Sequence, residues 1–534
     1  MIQNIYTPKL YEKKFLKTAS LNRLFLMLFL FIGSTLSAAD IYLTNGNQGN
    51  GSGSSFANGK DATTYLNALL TTPAAAGTHI YITGGVNYNI PVNYSGILLN
   101  NDDILIKGGY NPSTPYNYDP TTYITTFSGY TGVNGTAYAM FTSNTSTAKN
   151  VTVQGLKLVN GYANNVVFGA ITFTLVGKFT FKDITITNQT TSQSLFYLQR
   201  FDNSSGNSSL TLDNCYFADN SSTTSGGAVI NDYNHSGSGQ IPVTINNSRF
   251  VRNTSSAGQT GGAIDVSSNS KYVVTYSTFC ENNSLGYGGA INMNNASATI
   301  QITGDTFTNN YTRVSSSYGG AIMFTRHSTA TITDTGFYGN YLAAGIQSNG
   351  GAIGHGSSNS GSVTISNSVF YNNRANADGL SFGGAISTNL NNGGNNGAVY
   401  SISNSKFISN KAGSSYRGGA IVYSNGSSTQ LILNNNIFYD NTANGSTTIN
   451  GADITAYNGL SGSGKITGSG NTVQNASGSY LSYPNDNSAL PFSAWTGTIY
   501  NNNTTGNNGG ITGAPSGGCP SRICNVGTMT PIFN

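Results

Sequence analysis

Side chains able to carry acid–base or nucleophilic chemistry are few and scattered in this 534-residue chain. Glycoside hydrolysis generally uses two facing carboxylates, about 5–10 Å apart. Past residue 39 there is one glutamate, Glu281, and one adjacent aspartate pair, Asp102-Asp103, which reads more simply as a polar turn before a strand. Lyase chemistry would use calcium-binding acids and a basic proton acceptor on one face. Arg313, Arg326, Arg374 and Arg417 are spread among loops and read as solvated. His79, His235, His327 and His355 share no metal-ligand spacing. Glycine is everywhere, and no glycine loop opens an expected helix as a phosphate cradle would. No catalytic, cofactor or metal residue is therefore assigned.

What recurs instead is a structural unit. Phe-x-x-Asn stands at Phe217/Asn220, Phe250/Asn253, Phe279/Asn282, Phe307/Asn310, Phe337/Asn340, Phe370/Asn373, Phe407/Asn410 and Phe438/Asn441. Gly-Gly-Ala followed by Ile or Val comes after most of them, at Gly226-Gly227, Gly261-Gly262, Gly288-Gly289, Gly319-Gly320, Gly350-Gly351, Gly383-Gly384 and Gly418-Gly419. Asn450-Gly451-Ala452-Asp453-Ile454 is an eroded further copy. Successive phenylalanines are 28 to 37 residues apart. Glycine doublets and Thr/Ser/Asn-rich, β-branched runs exclude helical solenoids, and the unit is too short for a propeller blade.

Two or three short strand runs per unit match one coil of a three-sided parallel β-helix, with equivalent strands stacked about 4.8 Å apart. The phenylalanines would form an internal column. Each asparagine would sit at a bend and bond to the asparagines above and below it. The glycine pair suits a corner needing positive φ or close backbone approach. Ile264 with Val266, Ile291 with Met293, and Ile322 with Phe324 supply the inward alternation that follows. The fold class is all-β: a right-handed, single-stranded parallel β-helix of roughly a dozen coils.

This pairing of Gly-Gly-Ala-Ile with Phe-x-x-Asn resembles the repeat of the chlamydial-type polymorphic outer-membrane proteins, from about residue 210 to 455. The resemblance implies a right-handed β-helix passenger exposed at the cell surface, in a family associated with adhesion and virulence. Those proteins typically end in an autotransporter barrel. Here the residues after the last repeat are Pro, Gly and Asn-rich runs without a series of alternating strands of about ten residues. Release or peripheral attachment is thus expected as readily as outer-membrane anchoring. Gly354-His355-Gly356 is similar to a short motif of polygalacturonase-like hydrolases, but the accompanying Asp-rich segments and Arg-x-Lys are missing. It reads as a corner continuing Gly350 to Ile353.

The ends of the chain complete the picture. Lys9, Lys13, Lys14, Lys17 and Arg23 precede the apolar run from Leu24 to Ile32, followed by Ser37-Ala38-Ala39. That is the order of a secretory signal peptide over 1–39, and the run is too short for a spanning helix. Removing it takes five of 23 basic and one of 19 acidic residues, leaving 18 of each. A neutral chain gives no reason to expect nucleic acid or anionic lipid as partner. Residues 40–130 are expected to form a cap and first coils, 131–470 the β-helix, and 471–534 a second cap or tail. Asp61 to Leu70 is the best helix candidate, with Asp61 as N-cap, placed to cover the open end of the stack. His79 to Ile82, Ile97 to Leu99 and Ile104 to Lys107 read as strands, the last ending in a turn at Gly108-Gly109-Tyr110-Asn111-Pro112. Cys519 and Cys524 could close a small disulfide loop, whereas Cys215 and Cys280 fall at different places in their repeats and should not pair.

At 8% the charged residues are few, while 37% are apolar, with 33 Tyr and 25 Phe, too much apolar material for disorder. The outer surface, rich in Asn, Ser, Thr, Tyr and Gly, suits weak multivalent contacts with glycans or host proteins, the reading of an adhesin-like surface or secreted protein. A carbohydrate-active enzyme and a purely structural surface protein are the alternatives.

Overall fold

The computed structural model describes residues 39–91, 96–129, 140–143, 149–159, 171–173, 177–191, 194–198, 208–224, 226–233, 240–258, 260–295, 297–314, 316–326, 329–343, 347–356, 361–375, 380–388, 398–413, 418–424, 430–445, 452–457, 465–473 and 480–483. Residues 1–38, which hold nearly all of the expected signal segment, and His235, His327, Arg417, Cys519 and Cys524 lie outside these residues. No helix among the described residues is long and apolar enough to cross a membrane.

The strands stack into a parallel β-helix. Among the described residues a wide sheet has 15 strands, a phenylalanine sheet 13, an isoleucine sheet 13 and a narrow asparagine sheet 9. One coil illustrates the order: Thr299–Thr303 in the wide sheet, Thr306–Thr308 in the phenylalanine sheet, Tyr311–Thr312 in the narrow sheet, and Ile322–Phe324 in the isoleucine sheet. Each coil in this region therefore supplies four strands where two or three were expected. The extra one is only two residues long, because the chain must turn again at the glycine pair soon after the asparagine bend. A further sheet of Ser316–Tyr318, Gln347–Asn349 and Leu380–Phe382 forms where three successive coils lengthen the same corner.

Alternation in the strands puts every second side chain inside. Thr299–Thr303 reads half-buried, buried, exposed, buried, half-buried, and its neighbours repeat the pattern. One continuous apolar core runs from Leu43 to Val473. At the N-terminal end, helix α1 (Ala62–Ala68) begins where Asp61 accepts a hydrogen bond from the Thr64 N–H, and it buries Ala62 and Leu66 in that core. The helix thus closes the stack, as its amphipathic pattern required.

The expected turn at Gly108-Gly109-Tyr110 is instead strand: Ile104–Tyr110 is continuous. The register to the preceding strand shifts between Tyr81 and Thr83, and the Gly109 N–H donates to Thr125 Oγ1 at 2.9 Å. The glycines make a bulge, which keeps the pairing while admitting a left-handed residue, Gly109 at φ +87°. By contrast, the alternating runs Val151 to Leu158 and Phe179 to Ile186 break in two, at Gly155 and Asp183, both at positive φ.

Candidate functional site

The repeat residues form interior ladders. Phe250, Phe279, Phe307, Phe337, Phe370, Phe407 and Phe438 stack with ring centroids 4.6–5.0 Å apart, and all are fully buried. Asn220, Asn253, Asn282, Asn310, Asn340, Asn373, Asn410 and Asn441 are buried beside them. Asn310 shows the pattern: its Nδ2 donates to Asn340 Oδ1 at 3.0 Å and to the Phe279 carbonyl at 2.9 Å, while its Oδ1 accepts from the Asn282 N–H at 3.1 Å and Nδ2 at 3.0 Å. Asp453, in the eroded copy, accepts the last amide, Asn441 Nδ2, at 2.9 Å.

The glycine pair fulfils both expected roles. Gly319 has φ +63°, where a Cβ would strike the Ile322 carbonyl, and a Cβ on Gly320 would strike the Gly351 carbonyl of the next coil. In the first copy the alignment needs correcting by one residue. Ile230, not Val229, pairs with Ile264, and the Gly227, Ala228 and Val229 N–H groups donate to the Gly261, Gly262 and Ala263 carbonyls. Gly227 therefore takes the first-glycine place and Ala228 the second, leaving Gly226 outside the motif.

A second buried ladder escaped the sequence reading. Two residues before each phenylalanine, Cys215, Ser248, Ser277, Asp305, Thr335, Ser368, Ser405 and Asn436 occupy one file. Ser248 Oγ accepts from the Cys215 N–H at 3.0 Å, Asp305 Oδ1 from the Ser277 N–H at 2.6 Å, and Asn436 Oδ1 from the Ser405 N–H at 2.9 Å. The signal was the residue just before, often asparagine in the left-handed region: Asn214, Asn247, Asn367, Asn404 and Asn435. Cys215 is a free thiol and so is not bonded to Cys280; burial pushes it up to about 12, leaving it unreactive.

Several ionisable groups lie in the interior. Burial pushes Asp305 up to about 8, against the pull of the Ser277 and Thr303 N–H groups. It pushes Asp265 up to about 6, although Asn292 Nδ2, Ser267 Oγ and the Gly261 N–H all donate to that carboxylate. Asp232 takes the Tyr272 hydroxyl at 3.0 Å. His355 is not at a corner, as its flanking glycines suggested. It ends strand Ile353–His355, stacked on Phe324 in the core, with Nδ1 3.0 Å from Tyr400 Oη. An imidazole held there is sealed from any polymer passing outside.

On the outer surface two groupings stand out. Near the N-terminal end, Lys107 Nζ lies 4.0 Å from the centre of the Tyr118 ring, and Tyr118 Oη donates to Asp183 at 2.6 Å. Asp183 also accepts from Gln154 Nε2 at 2.9 Å and Asn214 Nδ2 at 2.7 Å, and Lys182 pairs with Asp213 at 3.1 Å. Burial lowers Lys107 and raises Tyr118, whose hydroxyl is further held protonated by Asp183. On the narrow sheet, Tyr311, Tyr341, Arg374 and Lys411 form an outward file: the two rings stack at 4.9 Å, and the Arg374 guanidinium lies 4.9 Å from the centre of the Tyr341 ring.

The remaining sequence candidates are dispersed. Asp102 accepts from Asn150, whose backbone N–H holds its carboxyl low, and Asp103 sits at φ 54°, a polar turn as read. Glu281 lies 4.0 Å from Arg252, which is paired to Asp219. Arg313 donates to the Ser255 carbonyl, and Arg326 is exposed. Among the described residues no group of three or more His, Cys, Asp or Glu is placed to hold a metal.

No model of a known protein family matches this chain, and no curated protein matches it by sequence. Some solved structures align with it at low identity. A PL6 alginate lyase in complex with a trisaccharide is 13% identical, with a TM-score of 0.36 over 89% of this chain and 98% of that one. Tailspike protein 3 of bacteriophage CBA120 is 11% identical with a TM-score of 0.33, and this chain, matched over 86%, spans 62% of its length. The GH136 lacto-N-biosidase of Eubacterium ramulus is 10% identical with a TM-score of 0.28, over 86% of this chain and 67% of that one.

Proposed function

We propose that this chain is an exported, adhesin-like β-helix, displayed at the cell surface or secreted, that binds glycans of a host or matrix without chemically altering them. One observation carries the reading: the outward file Tyr311, Tyr341, Arg374 and Lys411 presents rings and cations on a rigid support. The buried carboxylates and His355 are enclosed, so the chemistry-bearing groups nearest a passing polymer are these outer ones. A ring edge beside a guanidinium suits a sugar bearing hydroxyls or a carboxylate, and a rod repeats such contacts. The resemblance of the repeats to polymorphic outer-membrane proteins supports surface display, and the signal-like N-terminus supports export. The purified chain without residues 1–39 should bind a glycan array saturably. Tyr341→Ala with Arg374→Ala should weaken binding about tenfold, equivalent to ~1.4 kcal/mol. Absence of saturable binding across broad glycan and cell panels would leave a structural role.

A second reading, a carbohydrate-active enzyme, is favoured by Lys107, Tyr118 and Asp183, where a cation, a phenol and a carboxylate meet. Against it, Asp183 already accepts three hydrogen bonds, so its oxygens are engaged within the protein and not turned to a substrate. Incubation with uronate-containing polysaccharides decides: new unsaturated ends that vanish in Lys107→Ala would establish the enzyme.

A further inference from the structure

The wide sheet carries a patch unlike the rest of the surface. In four successive strands the outward residues are Thr299, Gln301, Thr303; Thr329, Thr331, Thr333; Ser362, Thr364, Ser366; and Val399, Ser401, Ser403. Ten of these twelve bear hydroxyls, and none is charged or aromatic. They pair strand to strand with no register shift: Gln301 with Thr331, Thr331 with Thr364, Thr364 with Ser401. Each is exposed or half-buried, and the Thr333 hydroxyl donates to Thr303 Oγ1 at 3.1 Å.

Strand propensity alone does not produce this. The partly exposed positions of the phenylalanine sheet in the same coils are Thr306, Tyr338, Val369, Tyr371 and Lys406. They obey the same backbone preferences but mix rings, an aliphatic and a charge. The patch is also geometrically regular, with hydroxyls repeating about 4.8 Å along the stack and about 6.6 Å along each strand. Its threonines are β-branched and rotationally stiff, so little side-chain entropy is lost when they meet an ordered partner.

A face without charge is matched to an uncharged partner. One without rings offers no stacking platform for sugars. One with a fixed two-dimensional grid of small hydroxyls and methyls complements a partner that is itself a two-dimensional grid of hydrogen-bonding oxygens. We propose that this threonine–serine face binds ice, the crystalline lattice of water. The hydroxyls would take lattice positions at hydrogen-bond distance while the methyls fill the spaces between them. This is independent of the glycan reading, which rests on the narrow sheet.

The test is partition into slowly grown ice, using the purified chain without residues 1–39, its Thr331→Lys/Thr364→Lys variant, and Tyr341→Ala as a control on another face. Both altered threonines are exposed, so the Lys variant should fold, which circular dichroism checks. The wild type and Tyr341→Ala should be enriched in the ice over the liquid and slow ice recrystallisation. The Lys variant should lose both effects. Exclusion of the wild type from ice to the same degree as serum albumin overturns the proposal. So does equal enrichment of the Lys variant, or loss of neutral-glycan binding by that variant without any ice effect in the wild type.

Discussion

Replacing Asn310 by alanine isolates what the asparagine ladder contributes. The side chain makes four buried hydrogen bonds, but they are not equally replaceable. Asn282 Nδ2 keeps the Phe250 carbonyl at 2.8 Å, and Asn340 Oδ1 keeps the Asn310 N–H at 3.0 Å. The Asn282 backbone N–H loses the acceptor it has in the ladder. One such buried donor costs about 1–3 kcal/mol, and each bond lost from groups that keep another partner about 0.5–1.5 kcal/mol. The expected total is about 2.5–7.5 kcal/mol. A solenoid need not unfold as one unit, so the assay should be local: hydrogen exchange of the segment around Asn282, compared with the segment around Asn410, four coils away. Protection should fall steeply at Asn282 and remain at Asn410. Asn310→Asp retains an acceptor for Asn282 but sets carboxylate oxygen against Asn340 Oδ1 and the Phe279 carbonyl, so its damage should lessen at acid pH. A loss below about 1 kcal/mol in Asn310→Ala, with the Asn282 amide still protected, would refute the reasoning.

Other expectations follow from the same interior. Phe307→Ala should cost about 3–5 kcal/mol by opening a void between Phe279 and Phe337, read by denaturant titration. Gly320→Ala, which drives a Cβ into the Gly351 carbonyl, should abolish or gravely weaken folding, whereas Gly258→Ala, with nothing within 4 Å of its Cβ, should leave thermal stability unchanged. Asp305 has a folded value of about 8, above its unfolded one, so the folded state binds the extra proton. Stability should therefore be greatest below the unfolded value, fall as pH rises through about 8, and level off above it. Asp305→Ser, which restores the hydroxyl used at Ser277 and Ser368, should flatten that decline in melting temperature between pH 6 and 9; an unchanged slope would assign the pH dependence elsewhere.

Much of this interior was legible because a stacked fold repeats its demands. Each phenylalanine and asparagine meets its own kind one coil away, so selection for self-complementarity leaves identical residues at a fixed period. The second ladder was not legible for the converse reason. Its positions ask only for a hydrogen-bond acceptor small enough for the bend, and Ser, Thr, Asp, Asn and Cys all meet that demand. The shift at Gly226-Gly227 was hidden because Gly-Gly-Ala-Val-Ile permits two alignments, and only the pairing of Ile230 with Ile264 selects one. His355 looked like a corner because glycines flank it, but Gly354 lies where a Cβ would meet the Gly319 backbone, which marks a packed strand rather than a turn. The Lys107, Tyr118 and Asp183 grouping joins residues 65 positions apart across coils, a contact no local spacing encodes.

The in-register parallel stack is the claim on which every face and ladder depends, and distances between paired nitroxide labels on the wide sheet measure it directly. With one label fixed at Thr211, partners at Thr331, Thr364 and Ser401 lie four, five and six strands away in the same file. The stack requires separations of about 19, 24 and 29 Å, rising by about 4.8 Å per coil. Distances that do not climb in equal steps, or that scatter broadly, would contradict it.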